Sequence, residues 1–442
     1  MILANGQIYP SDRQDELLER LNDQILATLS EKRLPTERVI DAIDRLGRQV
    51  QAGVFDDLIA SLPVDGVEQY KQLAIQLLSR DYLEFKIRTE LGGDFSPDRV
   101  SEPPFGLTRL RIQARPLGVL LHIAAGNVDG LPAFSLAEGL LTGNINILKL
   151  PQADNDLSVT VIRALIQLEP ALADFIYVFD TPSTDVAAIK KMADLSDGIA
   201  VWGGDTAVAA VRQFAAPGTK IIEWGHKLSF AYIAGYADKD AELTALAKHV
   251  MTTRQLLCSS CQVIYLDTDD ADAPAAFCRE FLPYLERAAA AHRPTTIDAV
   301  AEQTLRRYVE RLESFLTGGP PKDDFRGQGC SLTPCADSEL ELSDMFGNVL
   351  VKRLPRRELI RVLRRQKGYL QTAGLICPPD QRRLLSDLLA RAGVVRITGA
   401  GTMSAAFAGE AHDGEYPLRR YLRMVDEEVV PRRVRPIRQK NT

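Results

Sequence analysis

From about residue 107 the sequence alternates short apolar runs with helical stretches, and this rhythm constrains the fold more than any single motif. TRLRIQARPLGVLLHIAAGN first alternates and then turns continuously apolar, as a strand entering a buried parallel sheet does. A helix, LPAFSLAEGLLTG, follows and ends on Gly143, and NINILKL reads as the next strand. Helix SVTVIRALIQL, strand FIYVFD, helix VAAIKKMAD and strand GIAVWGG continue the series, and AAVRQFAAPGTKIIEWGHKLSFAYIAG closes it. Strands and helices alternating at this spacing predict a doubly wound α/β layer. A second α/β unit opens with helix AELTALAKHVMTT and strand QVIYLD. The first hundred residues carry helical periodicity, as in ELLERLNDQILATL, and 317–335 (TGGPPKDDFRGQGCSLTPC) reads as a Gly- and Pro-rich surface loop.

Length and charge narrow the function. A chain of 442 residues buries a sizeable core and divides into two or three lobes. A net charge of −6 argues against a nucleic-acid backbone binder. The basic run PRRVRPIRQK (431–440) is short and reads as a solvated tail. The N-terminus lacks the pattern of a signal peptide, and no stretch reaches the roughly 18 apolar residues of a membrane span. Six unevenly spaced cysteines form no disulfide framework, so free thiols in a reducing cytoplasm are expected.

Two of those cysteines, Cys258 and Cys261 in RQLLCSSCQVIYLD, stand as C-x-x-C. A redox pair of this kind usually opens a helix, whose dipole lowers one thiol pKa. Here the pair follows a helix and leads into a strand. Structural zinc needs a second such pair or a His partner, and none is present, so no metal site is expected. One working thiolate with a neighbour remains the better reading, with a buried spectator thiol as its alternative.

Several short strings share one order along the chain. HIAAGN ends at Asn127, and NINILKLP carries Lys149. GGDT (203–206) follows strand GIAVW, and E-W-G-H-K runs from Glu223 to Lys227, Glu223 lying 35 residues before Cys258. Downstream come DMFGNV (344–349) and GEYPLRRY (414–421). Together they resemble the aldehyde dehydrogenase superfamily, and HIAAGNVDG, VWGGDTAV, PGTKIIEWGHKLS and LLCSSCQ are most similar to the long-chain acyl-CoA reductases, the family of the bacterial bioluminescence fatty acyl reductase. Cys261 falls where that family usually has Pro.

The resemblance implies an α/β, aldehyde-dehydrogenase-like fold. Its parts would be N-terminal helices with a Rossmann-type dinucleotide-binding domain (1–228), a thiol-bearing catalytic domain (229–408), and a C-terminal segment (409–442) that packs back or oligomerises. It implies reduction of an acyl-CoA or acyl thioester to an aldehyde through a thioester on Cys258. Asn127 and the Cys258 backbone N–H would hold the oxyanion; alone, Asn127 reads equally as a turn residue. Lys149 would contact the adenosine ribose and Gly204 the pyrophosphate. Many NAD-preferring members carry a Glu three residues after the Lys; Gln152 stands there, so no charge repels a 2′-phosphate and NADPH is the expected cofactor.

Other positions stay open. Glu223 matches the base that activates water in hydrolytic relatives, which an acyl reductase must avoid. It is either turned away, or a proton carrier at Cys258, or structural. His226 replaces a Gly of the family pattern and adds a local donor. Asp344 matches a Glu that holds the nicotinamide ribose, one methylene shorter. His412 reads as a surface histidine rather than a general acid. Two other functions compete: an NAD(P)-dependent aldehyde dehydrogenase acting oxidatively, and a silent acyl-carrying subunit. A partner protein that transfers the acyl group is a further expectation, and the strand-like MVDEEVV (424–430) points to pairing between subunits of a homo-oligomer.

Overall fold

The computed structural model describes residues 1–62, 67–92, 98–101, 109–124, 130–152, 156–292 and 325–429, with isolated positions between 301 and 316. A hairpin of β1 (Ile2–Ala4) and β2 (Gln7–Tyr9) opens the chain, which the helical periodicity of this region does not announce. Helices Gln14–Glu31, Thr36–Gln51, Asp56–Ala60, Val67–Leu78 and Arg80–Leu91 follow. Thr36–Gln51 shows why they form: Val39, Ile40, Ile43, Leu46 and Val50 recur at helical spacing, and all five are buried.

TRLRIQARPLGVLLHI resolves into two strands with separate fates. After β3 (Asp98–Val100), its alternating half becomes β4 (Leu110–Pro116), which is partly exposed, and its apolar half becomes β5 (Val119–Ile123), which is buried. Gly118 makes the corner at φ +131°. A Cβ there would lie 2.3 Å from the Asp197 carboxylate that accepts the Val119 N–H, so only glycine fits.

Next come β6 (Ile145–Lys149), β7 (Ile176–Phe179), β8 (Gly198–Trp202) and β9 (Lys220–Trp224), with helices Leu131–Leu141, Leu157–Leu168, Val186–Asp194 and Asp205–Phe214 between them. The first sheet runs β2-β1-β7-β6-β5-β8-β9, parallel from β7 to β9, so strand order reverses between β5 and β8. In a doubly wound sheet, ligands bind at such a reversal, outside the carboxyl ends.

The second unit holds β10 (Leu228–Ile233), β11 (Cys261–Leu266), β12 (Phe325–Gly327), β13 (Cys330–Cys335), β14 (Asn348–Arg353), β15 (Leu370–Ile376) and β16 (Arg396–Thr398). Its order is β12-β13-β14-β11-β10-β15-β16. Residues 325–335 thus form a hairpin rather than the expected loop. Gly329, at φ +78°, allows the tight turn, and buried Cys330 and Leu332 pack beneath helix Ala273–Ala291. All six cysteines are free thiols. The expected C-terminal strand is β17 (Leu422–Glu428), which pairs antiparallel with β4 of the same chain in a three-stranded sheet, β17-β4-β3. Among the described residues no helix is long and apolar enough to cross a membrane.

Candidate active site

The loop that carries Cys258 is strained and tied down. Helix Lys239–Thr253 ends in Arg254 and Gln255, both left-handed at φ +49° and +61°. Such values are uncommon outside glycine and persist only where the surroundings enforce them. Here the enforcement is visible. The buried Gln255 amide donates to Cys261 O and to Ser343 Oγ, each at 2.9 Å, and accepts from Gly347 N at 3.0 Å. The facing turn is strained too, with Met345 at φ +57° and Phe346 at +49°, and Phe346 N donates to Arg254 O. Gln262 closes the network: its Oε1 accepts from Ser343 Oγ, and its amide donates to Gln255 O. Ser229 Oγ, which accepts from Thr372 N at 3.0 Å, donates to Cys258 O at 2.7 Å.

Donors converge on the sulfur. Gln371 Nε2 donates to Cys258 Sγ at 3.2 Å and to Asp413 Oδ1 at 2.6 Å. The backbone amides of Cys258 and Ser259 also point at the sulfur. Solvent reaches Cys258, yet protein atoms crowd it on most sides. Desolvation therefore raises its thiol pKa, Gln371 opposes that rise, and the Asp413 charge adds to it. Cys261 differs in every respect. It begins β11, is fully buried, and its thiol is pushed up to about 12. The C-x-x-C is thus one solvent-reachable thiol beside a core side chain. Among the described residues no cluster of His, Cys, Asp and Glu could hold a metal ion.

Cys258 lies in a cleft of about 450 Å³ between the two sheets. Trp202, Gly203 and Gly204 line it at the end of β8, and Leu256 and Leu342 line it from the Cys258 loop and the turn before β14. Gly204 precedes helix Asp205–Phe214 with extended backbone, and a Cβ built there meets nothing within 4 Å. That wall is bare backbone at a helix N-terminus, which fits the diphosphate of a dinucleotide. Lys149 ends β6, is buried, and has its ammonium pKa lowered by desolvation. Asp344 is half-buried on the strained turn, between Leu342 and Met345, which line the cleft. His226 lines the cleft as well. Asn127 lies outside the described residues.

Glu223 does not line the cleft; Arg212 Nε and Nη2 donate to its two carboxylate oxygens at 2.5 and 2.8 Å in a neighbouring polar hollow. His412, expected as a surface histidine, is partly exposed and lines the cleft, with ring centroids 5.2 Å from Trp202 and 5.0 Å from Trp224. Burial lowers its pKa, against the opposing pull of Asp413. Because chain reversal at 409–421 carries His412 back to β8 and β9, its neighbours in sequence gave no hint of them.

Gln371 and Asp413 are the neighbours of the thiol that the sequence reading missed. The available signal was weak: Gln371 and Thr372 are the two polar residues of the otherwise apolar strand LQTAGLI, and both are buried. A buried polar pair in a central strand needs partners, which is a reason to look at it.

A sequence profile described as acyl-CoA reductase (LuxC) matches residues 32–424. The long-chain acyl-protein thioester reductase 2 of Photobacterium leiognathi is 25% identical over 330 residues, covering 72% of this chain and 65% of that protein. The corresponding reductase of Vibrio harveyi is 25% identical over 364 residues, covering 80% and 73%. The chain thus spans about 65% of the length of several curated relatives it matches. Among solved structures, a lactaldehyde dehydrogenase superposes with a TM-score of 0.69 at 15% identity, covering 97% of this chain and 95% of the other. A benzaldehyde dehydrogenase from Corynebacterium glutamicum gives 0.67 at 13%, covering 95% and 90%. The fold is the aldehyde-dehydrogenase-like α/β fold.

Proposed function

The chain belongs to the acyl-CoA reductase (LuxC) family, and on that premise we propose that it reduces an acyl thioester to an aldehyde, with Cys258 carrying the acyl group and NADPH as the reductant. The carrying observation is the thiol of Cys258 at the floor of a cleft, with the Gln371 amide on its sulfur and the bare Gly203–Gly204 backbone in the opposite wall. In this reading His412, which lines the same cleft as the thiol, accepts its proton. The thiolate attacks the acyl carbonyl carbon, a new S–C bond forms, and the donor's sulfur leaves with the electron pair and takes up the proton. Asn127 and the Cys258 N–H supply the oxyanion donors. A nicotinamide dinucleotide, when bound, supplies the hydride that turns the thioester into an aldehyde and frees the thiolate.

Gly204 would face the diphosphate, Lys149 the adenosine ribose and Asp344 the nicotinamide ribose. Gln152 is exposed and uncharged three residues after Lys149, so it does not repel a 2′-phosphate. The bidentate pairing of Glu223 with Arg212, away from the cleft, supports reduction over hydrolysis, because it leaves that carboxylate engaged elsewhere. The relatives' names specify a long-chain acyl group on a protein donor, and we extend both to this chain: a partner protein, or coenzyme A in its place, delivers the acyl group.

The test is incubation with an acyl-CoA and NADPH, with NADH in parallel. Prompt nicotinamide oxidation, one thiol released per turnover, and an acyl label on Cys258 by mass spectrometry are the expected results. Aldehyde-dependent reduction of NAD(P)⁺ independent of coenzyme A would instead make this an oxidative aldehyde dehydrogenase. A Cys258 label that survives added NADPH would make it an acyl carrier.

A further inference from the structure

Three strands of the first sheet and one helix bring polar side chains together in an otherwise apolar layer. His122 from β5, Asn146 from β6 and Ser135 from helix Leu131–Leu141 are all buried, and the Trp202 indole at the end of β8 reaches them. Asn146 Nδ2 donates to Asn144 O at 2.7 Å, which leaves its Oδ1 to accept His122 Nε2–H at 3.0 Å. Burial pushes the His122 pKa down to about 4, so the ring is neutral and its Nδ1 is bare. That nitrogen accepts the Ser135 hydroxyl proton at 2.7 Å, and Ser135 Oγ in turn accepts Trp202 Nε1–H at 2.9 Å. Gly139 makes room for the chain: a Cβ there would lie 1.8 Å from Asn146 Oδ1.

Such a chain adds little stability, because each partner gives up hydrogen bonds to water to make it. It does fix one geometry, since a buried indole N–H turned elsewhere would lose its partner. The fixed indole borders the Cys258 cleft. Trp202 and Trp224 have ring centroids 5.4 Å apart, and the His412 ring rests on both, at 5.2 and 5.0 Å. Among the described residues no hydrogen bond orients that imidazole; its ion-pair partner is the Asp413 carboxylate, 3.9 Å from Nε2. Lys86, Lys227 and Arg396 also act on its charge. The two indoles therefore set where the ring points.

We propose that Ser135, His122 and Asn146 are positioning residues: by pinning the Trp202 indole, they hold His412 in place to take the Cys258 proton. The proposal rests on the role given to His412 above. Trp202 and Trp224 are the two tryptophans of the chain, so protein labelled with ¹⁵N at tryptophan gives two indole N–H signals, assigned by Trp202→Phe. In the unaltered protein the Trp202 signal should exchange slowly with solvent. Both signals should shift together as His412 titrates, a step absent from His412→Asn. Ser135→Ala cuts the chain and should speed the exchange by about tenfold or more. It should also move the His412 step to higher pH, because water then reaches the ring. Fast exchange in the unaltered protein, or a step that Ser135→Ala leaves in place, overturns the proposal. With a thioester substrate, Ser135→Ala should lower kcat by about tenfold and leave KM within about twofold. In a His412→Asn background it should cost nothing further, whereas equal losses in both backgrounds would mark mere destabilisation and sink the assignment. Absence of thioester turnover in the unaltered protein would refute the reductase reading instead, and the indole signals still decide the chain.

Discussion

The two seven-stranded sheets meet the same cleft from opposite strand ends. The first offers carboxyl ends: β8 runs into Gly203–Gly204 and the start of helix Asp205–Phe214. The second offers amino ends: Cys258 precedes β11, Ser343 to Gly347 precede β14, and Gln371 lies near the start of β15. A parallel strand leaving toward a helix presents free backbone N–H groups, which suit a diphosphate. A strand being entered receives the C-terminal end of the preceding helix, whose dipole gives a thiolate no help. The second sheet ties its loops with side chains, and the contrast follows: bare backbone along one wall of the cleft, a cross-tied network around the thiol.

The sharpest way to break this contrast is at the sulfur. Cys258→Ser should lower turnover by ~10⁴-fold or more while nucleotide affinity, read by fluorescence titration, persists. If turnover survives, the nucleophile lies elsewhere. Next is the network. Gln255→Ala strips partners from Ser343 Oγ, Cys261 O and Gly347 N, and should lower stability by about 2–3 kcal/mol, seen as a lower thermal midpoint. An unchanged midpoint would mean that the strained loop holds itself.

The opposite sheet should answer differently. Gly204→Val places its side chain in open space and at ordinary φ, so the midpoint should stay put while the nucleotide Kd rises by about tenfold. A stability loss without a change in Kd would show that the bare wall is structural. Gln371→Leu tests the thiol's donor. Gln371 lowers the Cys258 pKa, so its removal should raise it, moving the pH profile of iodoacetamide alkylation upward and slowing the reaction at pH 8. A profile moving down would reverse the assigned role. Smallest of all, Cys261→Ala should cost about 1 kcal/mol as a small core truncation and leave turnover within about twofold.

Much of this was legible before any coordinates. The βα alternation from 107 to 233 gave the layer, because apolar runs of four to six residues between amphipathic helices bury only one way. Cys258 was separable from Cys261 by its position before a strand, since a side chain inside a central strand is committed to the core. The hairpin at 325–335 was hidden by its Gly and Pro content, which marks turns but says nothing of the strands beside them. β1 and β2 are three residues each, too short for a period to show.

The sequence by itself determined the βα alternation, the difference between Cys258 and Cys261, and the family, all of which rest on neighbours in the chain or on motifs in fixed order. Tertiary structure alone decided what surrounds the sulfur. Gln371 is 113 residues from Cys258, and Asp413 another 42 beyond it. They meet because β10 pairs with β15 through a register shift between Leu228↔Leu370 and Phe230↔Ala373, where Thr372 N donates to Ser229 Oγ and Gln371 reaches the thiol. Glu223 shows the converse: its motif survives in sequence, yet Arg212 on the adjacent helix holds its carboxylate outside the cleft. Side-chain direction depends on strand register and on the nearest opposite charge, and neither is written in the local sequence.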